Sequence, residues 1–273
     1  YIVLDKIKRA KDKYMDISNN YLYFKELDSF IQENDTKVLK LVCLDDIKAE
    51  QPKWIWYPYI PLGTIVLLVG DPGVGKTYIA LWIASVLSNG GKFPFDYDNQ
   101  NENFGPSNVI FQNGEDGVSY TLKQRLELLN ADSKHIFMID ESDNMFKLDD
   151  LALFEESLKR LNPKLVIIDP IQRYIPDGKS MDKANDVRSA LSPIRDLAEK
   201  YDCTIIIIMD RIKGSKAPSL YRALGSIDFV GTARSMLTVE ENNSRKYIRH
   251  DKSSMGVIGN SIQYEINNNG LEI

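Results

Sequence analysis

Hydrophobic residues along the chain fall into two kinds of pattern, short continuous runs and longer stretches with helical spacing. Continuous apolar runs predict buried strands at 64–69, 109–112, 165–169 and 204–209. Apolar residues three and four positions apart predict helices between them, most clearly over 187–201. Strands that alternate with helices are typical of a mostly parallel sheet covered by helices on both faces. The pattern therefore predicts an α/β fold.

The same patterns place the smaller elements of this region. They are a helix after Lys76, a helix carrying Leu122, Leu126 and Leu129, a short strand at 136–139, and a helix carrying Leu151, Phe154, Leu158 and Leu161. Beyond Gly225 the pattern changes to shorter segments joined by Asn/Gly turns, at 235–239, 246–250 and 261–266. We expect these segments to form a C-terminal antiparallel extension.

The first part of the chain differs in composition from the rest. Residues 1–50 are rich in Lys, Asp, Glu and Asn and predict only a short helix near 21–31 and a strand at 38–44. We therefore divide the chain into an N-terminal appendage or linker, 1–50, and one α/β domain, 51–273. The aromatic, proline-punctuated segment 52–61 leads into the domain; its rings are expected to pack on the sheet, with nucleotide or partner contact as the alternative.

Composition narrows the classes of function. The chain has 273 residues, of which 43% are hydrophobic, enough for a packed core. Its net charge of -5 does not indicate a nucleic-acid partner, although a local basic patch shared between subunits would still allow one. Two cysteines form neither a zinc quartet nor a disulfide framework, and Cys203 beside an isoleucine run is expected to be a reduced core thiol. Without a membrane-spanning run or a signal peptide, we expect a cytoplasmic protein without membrane contact.

A glycine-rich segment connects the first strand of the domain to its first helix. It spells G-x-x-x-x-G-K-T, and its residues with the one that follows are Gly70, Asp71, Pro72, Gly73, Val74, Gly75, Lys76, Thr77 and Tyr78. Glycines let backbone N–H groups wrap a phosphate, and a helix N-terminus favours an anion. An ordinary glycine-rich turn is the alternative, but the strand and helix flanks favour a nucleotide site. There Lys76 would reach the β- and γ-phosphates of ATP, and the Thr77 hydroxyl would bind Mg²⁺.

Carboxylates follow two other predicted strands. Asp169 ends an apolar strand, from which a carboxylate can hold the Mg²⁺ shell, although it could also serve as a turn or cap residue. Hydrolysis also needs a carboxylate that orients or deprotonates water. Pro170 follows Asp169 and cannot supply it, so we assign this role to Glu115, at the end of the neighbouring strand. Asp116 competes for the role, and helix capping is the alternative for Glu115.

Charged residues follow the strand at 204–209. Asp210 stands where a polar residue senses the γ-phosphate, and Arg211, Lys213 and Lys216 come after it in a loop with Gly, Ser and Pro. A loop at the carboxyl end of a parallel sheet lies on the ligand side. These basic residues could contact nucleic-acid phosphates or the nucleotide of a neighbouring subunit, and a solvated surface loop is the alternative.

From Trp54 to about Ile266, the chain resembles the RecA-like ATPases of the hexameric replicative helicase type. The resemblance is to plasmid- and phage-encoded helicases in particular, and to related ATPases found beside primases. Its ordered pieces are 54–56 with 61–63, the phosphate loop 70–77, 113–116 with Arg125 beyond it, 165–170, 221–229 and 233–235. A phosphate loop is common to many families, and the ordered set is more specific.

The resemblance implies a homo-oligomer, most often a hexamer, that hydrolyses ATP with Mg²⁺ on single-stranded DNA during replication. It implies partners such as primase or replication-initiation proteins. Arg234 would then be an arginine finger for the next subunit's γ-phosphate, with a structural arginine as the alternative. Lys213 matches a family lysine after the sensor strand, and Lys252 is a weaker match to basic residues that face the nucleotide.

One position departs from the family. Relatives usually carry His or Gln at the end of the sensor strand, where this chain has Asp210. A carboxylate there repels a γ-phosphate unless Mg²⁺, Lys or Arg pairs with it, so nucleotide binding is a firmer expectation than efficient turnover. A RecA-like recombination or replication-accessory ATPase without unwinding activity is the alternative function. A regulatory or kinase-like protein is not favoured, because the sequence shows no acceptor-substrate site.

Overall fold

The computed structural model describes residues 42–95, 100–114, 121–142, 145–211, 227–268 and 270–273. The chain divides into two compact units, Tyr1–Gln51 and Pro52–Ile273. The helix predicted near 21–31 lies outside the described residues. The described end of the strand predicted at 38–44 is not a strand, because Leu44–Asp46 forms an exposed 3-10 turn in which Asp46 N–H donates to the Cys43 carbonyl.

The second unit contains the strands and helices on which the site is built. Its strands are β1 (Trp54–Trp56), β2 (Ile60–Pro61), β3 (Ile65–Gly70), β4 (Val109–Asn113), β5 (Ile136–Phe137), β6 (Leu165–Asp169), β7 (Thr204–Asp210), β8 (Ser235–Asn242), β9 (Arg245–Ser253), β10 (Ile262–Asn267) and β11 (Gly270–Glu272). Its helices are α1 (Lys76–Ser88), α2 (Lys123–Leu128), α3 (Leu151–Leu161), α4 (Ala184–Lys200) and α5 (Ile227–Thr232). No helix in the described ranges is long and apolar enough to cross a membrane.

The main sheet of the described residues has nine strands in the order β11-β10-β9-β8-β3-β7-β6-β4-β5. Strands β8, β3, β7, β6, β4 and β5 run parallel, and β9, β10 and β11 are antiparallel. The predicted mostly parallel sheet with an antiparallel C-terminal extension is confirmed. Its boundary is corrected: β8, which we placed in the extension, pairs parallel with β3 and belongs to the central sheet.

The central strands are buried on both faces because their side chains alternate between two apolar cores. In β3, Val66 and Leu68 enter the core covered by α1, whereas Ile65, Leu67 and Val69 enter the core covered by α4. All five side chains are fully buried. This double burial explains the continuous apolar runs, since a strand with one wet face would alternate instead.

The aromatic segment before β3 packs against the same domain. Trp56 is fully buried, stacks on Phe93 at 5.4 Å between ring centroids, and donates its indole N–H to the Pro94 carbonyl. Trp54 and Tyr59 are also buried. The packing interpretation of this segment is therefore confirmed. Cys203 is a free, fully buried thiol, as expected, and burial raises its pKa well above the ordinary value.

Candidate active site

The phosphate loop lies where the central strands end, on the side that we call the carboxyl edge of the sheet. It leaves β3 at Gly70 and enters α1 at Lys76. Gly70 pairs with Asp210 of β7 on one side and with Val239 of β8 on the other. A Cβ atom at Gly70 would lie 2.5 Å from the Val239 carbonyl oxygen, so only glycine lets the three strands meet here.

The loop's shape depends on two further glycines. Gly73 and Gly75 have φ angles of 81° and 105°, in the left-handed region that other residues rarely adopt. The C-terminal extension supports this turn: the Tyr264 hydroxyl donates to the Val74 carbonyl at 2.6 Å, and Ile266 lies against Gly75. Strand β10 therefore holds the loop from outside, a contact that the sequence motif does not indicate.

Lys76 directs its ammonium group back over the loop. Its Nζ donates to the carbonyls of Gly70 and Asp71, at 3.1 and 3.0 Å, and to Oδ1 of Asp210 at 2.6 Å. The residue is only 8% exposed. This places a buried positive charge at the mouth of the loop, where a phosphate bound by the loop would need it.

Thr77 and Asp169 come together beside the loop. The Thr77 hydroxyl donates to Oδ2 of Asp169 at 2.6 Å, and the Asn113 amide donates to the same oxygen at 3.4 Å. Asp169 is only 5% exposed. A hydroxyl and a carboxylate are oxygen donors that suit Mg²⁺, which takes its remaining ligands from phosphate and water. Within the described ranges, no group of three His, Cys, Asp or Glu side chains forms a metal site on its own.

These residues line one cavity of about 320 Å³. Tyr78 and Arg125 form its outer wall, with the guanidinium 5.9 Å from the centre of the tyrosine ring. The lining residues are Pro72, Gly73, Gly75, Lys76, Thr77, Tyr78, Arg125, Asp169, Pro170, Ile208, Asp210 and Ile266. The structure thus brings together the predicted loop, Asp169 and Asp210, which are spread over 140 residues of chain.

Several predicted residues lie outside the described part of the chain. They are Glu115 with its competitor Asp116, and the basic residues Lys213 and Lys216. The chain reaches Glu115 from Gly114, whose N–H donates to the Asp169 carbonyl at 3.1 Å. The Arg173 side chain crosses directly over Gly114, where a Cβ atom would clash with it. Arg173, Tyr264 and Ile266 are site neighbours that our sequence analysis missed, whereas Asn113 belongs to the segment 113–116 of the family resemblance.

Arg211 lies next to an acidic neighbourhood. Its guanidinium is 4.0 Å from the Glu240 carboxylate, and its backbone N–H donates to the Gly70 carbonyl at 3.0 Å. Arg249 donates to both carboxylate oxygens of the same Glu240 and also to Asp251. Arg211 is thus partly neutralised within the chain, and its assignment to nucleic acid remains a prediction.

Arg234 lies where the central strands begin, which we call the opposite edge of the sheet. It precedes β8, and its N–H donates to the carbonyl of Ile65, the first residue of β3. Gly70 is five positions beyond Ile65 along β3, a distance of about 16 Å at about 3.3 Å per residue. The side chain is exposed and lines a second cavity of about 510 Å³ together with Arg195. Arg234 therefore cannot reach the phosphate loop of its own chain.

Lys252 shares this opposite edge. Its ammonium donates to the carbonyls of Val230 and Ala233, at the C-terminal end of α5. Burial, followed by the nearby charge of Arg234, lowers the pKa of Lys252. The interpretation of Lys252 as a nucleotide-facing residue is wrong for the nucleotide of its own chain, because the side chain closes a helix end at the far edge.

Comparison with known proteins bears on this site directly. A family model described as an AAA domain, AAA_25, matches residues 33–215, more than half of the chain. The chain belongs to this family. The match includes the phosphate loop, Asp169 and Asp210. As a member of a P-loop ATPase family with this site, the chain has the features that support ATPase activity.

Two DNA repair proteins match part of the chain in sequence. The DNA repair protein RadA of Bacillus subtilis (strain 168) is 26% identical over 149 residues, which are 54% of this chain and 27% of RadA. RadA of Halalkalibacterium halodurans is 29% identical over 115 residues, 42% of this chain and 20% of that protein. The match thus spans about a quarter of these relatives.

The alignment with a solved structure of a KaiC-like protein from the archaeon Pyrococcus horikoshii OT3 covers 77% of this chain and 89% of that protein. It has a TM-score of 0.55 and 21% identity, and at that identity it supports the fold alone. The RecA-like fold implied by the sequence resemblance is thereby confirmed, and the P-loop part is confirmed by the family model. The replicative helicase type stays a prediction.

Proposed function

We propose that this AAA_25 protein is an ATP-hydrolysing motor that acts on single-stranded DNA in replication, as a ring-forming helicase or translocase. One observation carries the proposal: the phosphate-binding half of the site is complete at one edge of the sheet, while Arg234 stands exposed at the other. If the Arg234 edge of one copy packed against the carboxyl edge of the next, Arg234 of the first would reach the phosphate loop of the second. Repeating that head-to-tail contact forms a ring when the rotation between copies closes, and the sequence resemblance implies a hexamer.

The proposed chemistry divides between residues of the two edges. Lys76 holds the β- and γ-phosphates, and Thr77 with Asp169 holds Mg²⁺, which when bound neutralises charge that develops on the phosphates. Glu115 orients and deprotonates the attacking water, with Asp116 as the competitor. Arg234 of the neighbouring copy stabilises the transition state from outside.

Binding of DNA follows from the ring in this proposal. With a net charge of -5, an isolated chain has little attraction for a polyanion. A ring would concentrate Arg211, Lys213 and Lys216 from each copy along a central channel. Single-stranded DNA should therefore bind weakly to the monomer, bind well to the assembled form, and dissociate as salt rises. The expected location is the cytoplasm, and the expected partners are primase or replication-initiation proteins.

A second function is favoured by a different observation. The curated relatives carry the name DNA repair protein, and none of their printed names mentions unwinding. On this alternative, the chain is a recombination or replication-accessory ATPase that binds DNA without separating its strands. Both functions need the same nucleotide site, so nucleotide chemistry alone does not distinguish them.

Three measurements on the full chain test the proposal. ATPase rate with and without single-stranded DNA should show stimulation, and light scattering with ATP and Mg²⁺ should show a closed oligomer. Strand separation on a forked duplex separates the two functions, since only the helicase should release the labelled strand. A monomer that binds ATP but neither assembles nor responds to DNA would contradict the motor in either form.

A further inference from the structure

The ammonium group of Lys76 has all three of its N–H donors engaged inside the chain. Two donate to the backbone carbonyls of Gly70 and Asp71, and the third donates to Asp210. An ammonium has three donors and no more. A phosphate oxygen can therefore bind Lys76 only by displacing one of these three partners.

The three partners differ in how readily they can leave. The carbonyls of Gly70 and Asp71 belong to the loop backbone itself, and moving them would deform the loop. The Asp210 side chain is 51% exposed, against 9% for the lysine side chain, and a carboxylate on the open side can rotate into water. Asp210 is thus the partner that an arriving phosphate replaces.

The position of Asp210 is fixed by the sheet rather than by chance contact. It pairs in register with Gly70 at the carboxyl end of β7, and the N–H of the next residue, Arg211, donates to the Gly70 carbonyl. The backbone of Asp210 therefore stays beside the loop, so its carboxylate remains near a bound phosphate even after it has left Lys76. There it would repel the phosphate charge, and a triphosphate more than a diphosphate, since it carries more charge.

We propose that Asp210 is a built-in competitor of nucleotide for Lys76, which lowers the affinity of the site and lowers it more for ATP than for ADP. The inference rests on the proposed nucleotide function of the loop and concerns how that site is regulated. It makes Asp210 a positioning residue that acts through Lys76. In the nucleotide-free site, this ion pair occupies the Lys76 ammonium that a phosphate would need.

The test is equilibrium titration of the full chain with Mg²⁺-ATP and with Mg²⁺-ADP. Asp210→Asn keeps the shape and removes the charge, and it should tighten ATP binding about fivefold to tenfold and ADP binding less. That range is below the full strength of a charge-assisted hydrogen bond because Asp210 is half exposed. Asp210→Glu, which keeps the charge, should stay within about twofold of the original affinity. Asp177→Asn removes the same charge far out in solvent and serves as the control.

Two further readings separate the possible failures. Thermal unfolding without nucleotide should show Asp210→Asn equal to or below the original protein, so tighter binding would not reflect better folding. If Lys76→Ala weakens ATP binding while Asp210→Asn leaves it unchanged or weaker, the competitor is disproved and the site stands. If Lys76→Ala does not change ATP affinity, the proposed function of the loop itself fails.

Discussion

The two edges of the central sheet differ in how completely a single chain satisfies them. At the carboxyl edge, Lys76 and Asp169 are 8% and 5% exposed, and the lysine ammonium and the Thr77 hydroxyl bind within the chain. At the opposite edge, the Arg234 side chain is exposed, and within the described residues it makes no hydrogen bond or ion pair. A buried charge without partners lowers the stability of the fold, whereas an exposed guanidinium is solvated by water and costs little stability without a partner.

This difference suggests which half of the chemistry a single chain can perform. The carboxyl edge has a shaped cavity with a cation, a hydroxyl and a carboxylate, which is enough to hold a nucleotide. The other edge offers a cation about 16 Å away along β3, which is too far to act on that nucleotide. Loss of the Lys76 charge should therefore affect binding and rate together, and loss of the Arg234 charge should affect rate alone.

The largest effect is expected from Lys76→Ala at the carboxyl edge. Loss of the buried ammonium should abolish measurable ATP turnover and also weaken ATP binding, because the same charge faces the phosphates in both states. Isothermal titration and a steady-state ATPase assay measure the two. Lys183→Ala, an exposed lysine before α4, is the control and should behave as the original protein. Unchanged affinity and rate in Lys76→Ala would remove the site assignment.

Glu115→Gln, at the residue proposed to activate water, should separate nucleotide binding from hydrolysis. The amide keeps the shape but cannot take a proton, so ATP should still bind while hydrolysis falls by about 10³-fold. Single-turnover hydrolysis with excess enzyme gives the chemical step directly. A normal rate in this variant, together with loss in Asp116→Asn, would transfer the role to Asp116.

Arg234→Ala tests the opposite edge. ATP affinity should remain almost unchanged, while the rate should fall by about 10³-fold, the scale on which arginine fingers act. Arg195→Ala is a matched control, because Arg195 lines the same cavity but is already bound to Asp196 and Ser192.

Mixing variants then distinguishes a shared site from a local one. Arg234→Ala and Lys76→Ala proteins should regain activity together, since a mixed ring can pair an intact Arg234 with an intact Lys76. Confirmed mixed oligomers without any recovery would show that Arg234 does not act between copies.

Sequence alone predicted the parallel core, because strands buried on both faces leave continuous apolar runs. It also predicted α4 through Pro193, since the buried stripe that includes Val187, Leu191 and Ile194 outweighs one missing backbone donor. It misplaced β8, although the five buried residues that begin this strand had the pattern of a central strand. The alternation of β10, buried and exposed in turn, is what an outer strand shows.

The contacts that complete the site could not be predicted in the same way. The ion pair between Lys76 and Asp210 depends on the register of β3 against β7, which joins residues 134 positions apart. The hydrogen bond from Tyr264 to the loop depends on where the C-terminal hairpins fold back. Local motifs specify which residues can bind a phosphate, whereas register over long separations decides which of them meet.

Gly70→Ala tests how closely β3 and β8 pack at the carboxyl edge. The added Cβ would lie 2.5 Å from a backbone oxygen of β8, which cannot move aside, so we expect a loss of about 2–3 kcal/mol in the free energy of unfolding. Gly73→Ala meets no atom within 4 Å and should cost about 1 kcal/mol through its positive φ alone. Urea unfolding of both variants measures the difference. Equal costs would show that the three strands do not meet as closely as described.

The smallest effect concerns His250, which stabilises the edge that carries Arg234. Its Nδ1 accepts the Gly259 N–H at 2.9 Å, and its Nε2 lies 3.1 Å from the Ser235 hydroxyl, which itself donates to the Tyr59 carbonyl. The ring is therefore held neutral, with its proton on Nε2. Burial lowers the pKa of His250 to about 4, from an ordinary value of 6.5.

The unfolded chain binds this proton more readily than the folded one. The free energy of unfolding is therefore highest above pH 6.5 and falls as the pH drops toward 4. Between pH 6.5 and pH 5 we expect a loss of about 1–2 kcal/mol, measured by urea unfolding at each pH. His250→Gln should remove this part of the slope, whereas His135→Gln, at the other histidine of the chain, should retain it. A slope that survives in His250→Gln would assign the pH dependence to carboxylates elsewhere and leave the Arg234 edge insensitive to acid.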